Sequence, residues 1–489
     1  MENTGRIEGG LLPQIRRLLF ERSWNDEVEA ELTFITEVDR AHALMLAECG
    51  IVAPDKIRLL LGAIEDLRKK RFAPLRERMA SRGLYLLYED YLIDTYGSST
   101  GGVLQTARSR NDLNATTLRL RLRTVVTDLL RQGLRLQAVL LRQARRFSNL
   151  VMPAYTHGQA ALPTTLGHYL AGVAESLSRD LHSMVRACDG LQRCPLGAGA
   201  VAGTTLPIDT CRTAYLLGFT RPEHHSADAV ASRDIVLRVL SSATILGITL
   251  SRLATDLWQW CTAEFGFLSL PDEVIGSSSA MPQKRNPFLL EHVQGKAGAA
   301  LGAFVASATA MHATPFTNSV AVGAEAVKRV WDALREVGEA VLLTRLVVGR
   351  LQPHPCAMLQ RAEQGFTTAT ALANHLVING GQDFRSAHHK VGALVSAAGK
   401  TPHRYAEYVR DLCMSHDVEF KPELLDPSSV AAQSEWGGGP GPVSLQRLLI
   451  RLQREWTKLC IHCRSRQQVW REAQASLDAA VANFLQQPG

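Results

Sequence analysis

The sequence predicts an all-α fold of three helical regions, with a bundle of very long helices in the central one. Three observations lead there. Aromatic residues are only 6% of a chain that is 46% hydrophobic, a low share for sheets, which favour aromatic and β-branched side chains. Period-two strand patterns are nearly absent. Three stretches also stay helix-compatible well beyond the usual span of about 8–20 residues.

The elements follow in order. Residues 1–105 form a smaller helical region, with Ile57-Arg58-Leu59-Leu60-Leu61 and Leu84-Tyr85-Leu86-Leu87 as helical pieces. The central region, 106–355, carries long helices from Ala115 to Phe147, from Arg233 to Phe265, and from Pro287 toward Ala313. In the second, Ile235, Val239, Ile245, Leu246, Ile248, Leu250, Leu253 and Leu257 spread around most of the circumference. A helix apolar nearly all round is buried on several sides. Such helices pack in bundles, and one chain does not supply enough partners, so oligomerisation is expected. The last region, 356–489, holds the helical piece Ala371 to Leu376. After the loop Gly437-Gly438-Gly439-Pro440-Gly441-Pro442 it ends in an amphipathic stretch that follows Val443.

Bulk composition narrows the function. The net charge of +7 raises the question of an anionic partner. However, the cations of Arg119-Leu120-Arg121-Leu122-Arg123 sit at a spacing that suits a solvated helix face. No basic block is interleaved with aromatics, so no nucleic-acid partner is expected. Met1 to Glu8 carries acidic residues and no apolar core, unlike a signal peptide. No uninterrupted apolar run approaches membrane-spanning length, so no membrane partner is expected. Nine scattered cysteines, including a lone Cys460-x-x-Cys463, fit a reducing cytoplasm.

Four polar segments interrupt the helices. At Thr106-Ala107-Arg108-Ser109-Arg110-Asn111-Asp112, a capping residue, free helix N–H groups and two arginines could form an anion site; a solvated, capped helix start is the plainer reading. Tyr155-Thr156-His157-Gly158-Gln159 offers a lone histidine, a residue type more often structural than catalytic. Cys194 to Thr205 is glycine-rich, but no strand precedes it and its spacing is not that of a dinucleotide loop; close helix–loop packing is expected. The fourth segment, Gly276-Ser277-Ser278-Ser279-Ala280-Met281-Pro282-Gln283-Lys284-Arg285-Asn286, leads into Pro287, a natural first-turn residue. Serines beside Lys284 at a helix start can stabilise an alkoxide or bound oxyanion, and Glu291 lies just inside the following helix. His224-His225 and His388-His389 lack the i, i+4 spacing of helix-borne metal ligands, and no metal is expected.

In this order the segments resemble the fumarase/aspartase superfamily and, within it, the argininosuccinate lyases, from roughly Asp39 to Ala432. The segment at 106–112 is similar to TGRSRND, and Met152 to Leu170 to MPGYTHLQxAQPTTLGHxL. Pro195 to Asp209 is almost the family string, Asp228-Ala229-Val230 with Arg233-Asp234 resembles DAVSDRD, and Met281 to Pro287 resembles MPQKKNP. Phe384 to Gly392 and Leu425-Asp426-Pro427 match near the C-terminus.

The resemblance implies a homotetramer whose active sites draw on three subunits. It implies anti β-elimination of a C–N bond in a small succinyl-amine, releasing fumarate without metal or organic cofactor. By position Ser278 is the implied base. His157, paired with Glu291, is the implied general acid or proton shuttle. Ser109, Arg110, Asn111, Thr156, Gln159, Lys284, Asn286 and Arg233 are the implied substrate-binding residues.

Four departures stand out. The family's glycine before the catalytic serine is Ser277, its histidine before TGRSRND is Gln105, and the asparagine of NSxDAV is His225. The family's YNKDLQEDKE falls on Thr317 to Ala326, where small or apolar residues replace most of the charged and hydrogen-bonding ones. A pocket that loses such partners is not expected to hold the same polar ligand.

Overall fold

In the computed structural model the described residues are 12–14, 26–76 and 84–487; the reading of Met1 to Glu8 lies outside them. The fold is all-α, and helices of ten or more residues are labelled in chain order. Helices α1 (Asp26–Glu48), α2 (Pro54–Lys69) and α3 (Leu84–Tyr96) make the first cluster. Proline at the first turn and Arg68 and Lys69 in the last suit the two ends of α2. Its buried face, Ile57, Leu61 and Ile64, packs with Leu32, Val38 and Leu46 of α1 and with Tyr88 and Leu92 of α3.

Helix α4 (Arg110–Arg146) has 37 residues, a length of about 55 Å at 1.5 Å per residue. Ser109 and Asp112 start it with a reciprocal capping box, which satisfies two of the free N–H groups of the first turn. The chain then makes an antiparallel hairpin, β1 (Val151–Thr156) and β2 (Gln159–Thr165). This pair is absent from the sequence expectation, because Pro153 and Pro163 mask its alternation and sit opposite each other in the register.

Helix α5 (Leu166–Ala187), capped by Thr165, turns back along α4. Gly167 allows the approach: a Cβ there would stand 2.4 Å from the Ala144 carbonyl oxygen. Helix α6 (Asp234–Trp260) follows, with Gly247 pressed against the Ala297 carbonyl in the same way. It is long and apolar enough to cross a membrane by length and composition alone, yet over half of its most apolar window is buried within the protein.

The expected third long helix is divided at Gly298 into α7 (Phe288–Ala297) and α8 (Ala299–Met311). Helix α9 (Val330–Val348) completes the central core, in which Leu122, Leu140, Leu170, Leu181, Val239, Leu250, Leu290 and Val341 are buried.

Helices α10 (Pro355–Gln364), α11 (Ala369–Gly380), α12 (Phe384–Lys400) and α13 (Tyr405–Met414) follow, and the last three share a satellite core around Leu376, Val391 and Val409. The amphipathic stretch after Val443 becomes α14 (Pro442–Gln486), 45 residues long. It buries Leu445, Leu452 and Leu459 in the central core and Leu477 and Val481 in the first cluster. Its apolar residues are spread along too great a length for the small satellite core to cover.

Candidate active site

The serine-rich loop is closed at its base by two hydrogen bonds between Gly276 and Asn286, the N–H of each donating to the carbonyl of the other at 2.8 Å. Arg285 ties one limb down, donating to the Leu270 carbonyl at 3.1 Å and pairing with Asp272 at 2.7 Å. Asn286 donates to the Ser277 carbonyl at 3.3 Å. Within the loop the Ser278 Oγ accepts from the backbone N–H groups of Met281, at 3.1 Å, and Ala280, at 3.4 Å. Amide donors aimed at a hydroxyl oxygen favour its anionic form. The arrangement therefore suits a serine that must give up its own proton before taking another. Ser278 is half-buried, and Lys284 and Glu291 are exposed.

His157 and Gly158 form the two-residue turn of the β1–β2 hairpin, with φ of 52° and 73°. Two consecutive left-handed residues match the twist of the flanking strands. Below the tip, Tyr155 packs against Phe265 and Phe267, with ring centroids 5.6 and 6.4 Å apart. Thr156, His157 and Gln159 project from this base and are exposed. Among the described residues, no hydrogen bond or ion pair joins His157 to Glu291.

At the start of α4 the geometry is tighter. The buried Asp112 carboxylate accepts from Ser109 N–H, Leu113 N–H, Gly197 N–H and Gly199 N–H, all at 3.0 Å. Burial raises its pKa, although the amide donors oppose the shift. The glycine-rich segment is thus a cradle for a helix-capping carboxylate, which gives the expected close packing a cause. Asn111 donates to the Ala200 carbonyl at 2.9 Å and accepts from Asn318 Nδ2 at 2.8 Å. Arg110 is exposed.

Beneath this segment Arg108 and Asp39 form a fully buried ion pair, and Arg108 donates to Tyr85 Oη at 3.2 Å. Tyr85 in turn accepts from Gln105 at 2.9 Å. The buried His42 donates through Nε2 to the Thr106 carbonyl at 2.8 Å. Burial, with the Arg108 charge beside it, pushes the His42 pKa down to about 3.

The candidates therefore fall into two groups. Ser109, Arg110 and Asn111 stand at the N-terminal end of α4. The hairpin stands beyond its C-terminal end, about 55 Å away by helical rise. The serine loop lies toward the hairpin end: it follows the end of α6, whose Trp260 packs on Tyr169 with centroids 4.7 Å apart. The two groups cannot meet around one small molecule within a single chain.

The comparisons with known proteins give the family. A lyase family model matches residues 90–302, and a model of the argininosuccinate lyase C-terminal region matches residues 366–428. Argininosuccinate lyase 1 of Shouchella clausii is 32% identical over 461 residues, covering 92% of this chain and 93% of that protein. The argininosuccinate lyase of Geobacillus thermodenitrificans is 37% identical over 441 residues, covering 88% and 95%. This chain belongs to the argininosuccinate lyase family. It is accordingly a carbon–nitrogen lyase. The crystal structure of EDDS lyase in complex with formate superposes with a TM-score of 0.89 at 28% identity, covering 99% of this chain and 98% of that one. Class II fumarase from Schistosoma mansoni shares the fold, with a TM-score of 0.69 at 16% identity over 87% of this chain and 96% of that one.

One residue of this argininosuccinate lyase family member stands apart from the site expected of it. Arg233 is only 2% exposed, and its guanidinium donates to the Val230 and Ser232 carbonyls at 2.9 and 3.0 Å. Within this chain it acts as a clip at the start of α6 rather than presenting its head to a ligand.

Two residues to which the sequence reading gave no place in the site belong to the N-terminal group. Asp112 was legible only as a possible cap, since nothing local announces its bonds to a loop 85 residues later. Asn318, from the segment that departs most from the family, touches Asn111 directly. Around it the backbone winds as a π-helix over Ala321–Glu325, a form often found at functional sites.

Proposed function

We propose that this lyase releases fumarate from an N-succinyl amine by anti β-elimination, with sites assembled from three subunits of a homotetramer. The amine half of the substrate, on this reading, is less polar than that of argininosuccinate. The observation that carries the proposal is the separation of the candidate residues onto opposite ends of α4, while each end keeps its polar groups in place. The assembly is supported by exposed apolar side chains on adjoining helices of the central bundle. Ile245 and Ile248 of α6 are 46% and 52% exposed, and Leu301 and Val305 of α8 are 50% and 54% exposed.

In this mechanism the Ser278 alkoxide removes a proton from Cβ of the succinyl group. The electron pair moves onto the adjacent carboxylate as an aci-carboxylate. As it returns, the Cα–N bond breaks and the nitrogen takes a proton from His157, which Glu291 of a neighbouring subunit orients. Thr156, Lys284 and Asn286, with Ser109, Arg110 and Asn111 from another subunit, hold the two carboxylates. Gln159 stands beside Thr156 and His157 as a further binding group. Donors fixed where charge develops contribute most in the transition state.

The changed amine half rests on Thr317 to Ala326. Phe316 and Val320, at 72% and 74% exposed, flank Asn318 there, so apolar surface adjoins the polar contact to Asn111. The test is fumarate absorbance after mixing the protein with argininosuccinate and with a graded panel of N-succinyl amines. Turnover is expected to favour the apolar members of the panel; a preference for argininosuccinate would overturn the substrate assignment. Ser278→Ala is expected to abolish release at unchanged thermal stability, and retained turnover would remove Ser278 as the base.

A further inference from the structure

The candidate binding residues at the N-terminal end of α4 rest on a buried polar layer supplied by the first cluster. Asp39 and His42 lie three residues apart on one face of α1, and both are buried. Asp39 pairs with the Arg108 guanidinium, and His42 donates through Nε2 to the Thr106 carbonyl at 2.8 Å. Tyr85 of α3 accepts from Arg108 at 3.2 Å and from Gln105 at 2.9 Å, and donates to Glu89 at 3.2 Å.

This layer is poorly built for stability alone. The side chains of Arg108 and Asp39 are wholly out of solvent. Taking two charges out of water often costs more than their attraction returns, unless every remaining polar atom is met. Here the Nε of Arg108 and the Nδ1 of His42 are buried without a hydrogen-bond partner among the described residues. Between the held residues Ala107 takes a left-handed conformation, with φ of 57°, which a side chain disfavours.

What the layer accomplishes is geometric. It holds Gln105, Thr106 and Arg108, which lead directly into Ser109, Arg110 and Asn111. On the far side Asp112 is fixed by the amides of Gly197 and Gly199. Ser109, Arg110 and Asn111 therefore stand between two clamps, one from the first cluster and one from the glycine-rich loop. A span so held has little freedom, and misplacing a binding group by about 1 Å can cost roughly a hundredfold in rate.

We propose that Asp39, His42, Tyr85 and Arg108 are positioning residues for the substrate-binding wall, acting through the chain at 105–111 without touching the substrate. This role rests on the elimination mechanism above, in which Ser109, Arg110 and Asn111 help to hold the succinyl carboxylates. It gives the first cluster a part in the reaction, because α1 and α3 set where that wall stands. A buried ion pair kept for geometry can be replaced by apolar residues of similar volume with the fold intact. Such a replacement separates positioning from stability.

The test is the paired replacement of Asp39→Leu with Arg108→Met in the full chain, followed by fumarate-release kinetics and by amide hydrogen exchange. The melting temperature is expected to stay at or above that of the parent. For the N-succinyl amine that the parent turns over best, KM is expected to rise roughly tenfold or more and kcat/KM to fall roughly a hundredfold. Exchange over residues 105–111 should quicken while α6 stays protected. Tyr85→Phe, which removes one hydroxyl and leaves the ion pair, should raise KM about fivefold; it carries the test where the paired variant does not fold. Parent-like KM in both variants, a fall in kcat at constant KM, or unchanged exchange over 105–111 would each overturn the positioning role. A parent that releases no fumarate from any N-succinyl amine would overturn the elimination mechanism instead, and the exchange result would then decide the positioning role alone.

Discussion

The two ends of α4 differ in how their polar groups are held. At the N-terminal end Asp112 accepts from four backbone amides, and the side-chain amide of Asn111 is engaged on both sides. At the hairpin end His157 stands exposed on a turn, and, among the described residues, Ser278 is held by the loop that carries it. One end is preorganised by its own chain. The other presents groups that await a partner surface. The difference teaches that, in the proposed assembly, the rigid end serves as the binding wall and the looser end carries the proton chemistry.

Breaking the assembly should have the largest effect. Ile248→Glu places a charge in the apolar surface shared by α6 and α8. The expected product is a smaller species by light scattering that retains its helical circular dichroism but has lost fumarate release. Full activity from a monomer would remove the need for two ends to meet across chains.

Asp112→Ala tests the rigid end from within. The lost cap and the amides left unsatisfied should cost about 3 kcal/mol in urea unfolding, whereas Ser278→Ala at the looser end should cost under about 0.5 kcal/mol.

His42, below the rigid end, should set an acid limit on stability. The unfolded imidazole takes a proton below its ordinary pKa of 6.5, while the folded one stays neutral until about 3. Stability contributed by the neutral form is therefore present above pH 6.5 and lost as pH falls from there toward 3. Between pH 7 and pH 5 this loss is about 2 kcal/mol. In His42→Gln that increment should vanish from the pH dependence, measured by urea melts at both values.

The smallest expected effect is at Asn318. Its replacement by alanine removes one neutral hydrogen bond to Asn111, worth about 1 kcal/mol. It should raise KM roughly fivefold at nearly constant kcat if Asn111 binds the substrate ground state and transition state alike.

Much of this was legible in the sequence. The length and all-round apolarity of the segment around Ile245 and Ile248 gave both the buried helix and its unsatisfied face, since burial pattern follows periodicity. The order of the polar segments named Ser278, His157 and Asn111 as candidates. The hairpin was not legible, because prolines interrupt the pattern and the pairing depends on a two-residue turn. Nor was the burial of Arg233: a motif gives the residue type, but not the direction of a guanidinium or the carbonyls that capture it. The pairing of the buried Arg119 with Glu223 was equally hidden, because the two are 104 residues apart.

Helix α14 has a practical consequence. One end of this strut is pinned in the central core by Leu445 and Leu452; the other is pinned in the first cluster by Leu477, Val481 and the ion pair of Asp478 with Arg40 at 2.7 Å. A reporter fused after Gln487 would therefore emerge beside α1 and α2, remote from the satellite helices that precede it in the chain. Trimming the last dozen residues would expose the first cluster before it disturbed the bundle. Such a truncation would be detected first by proteases cutting near residue 50, in a part of the protein that the deletion never touched.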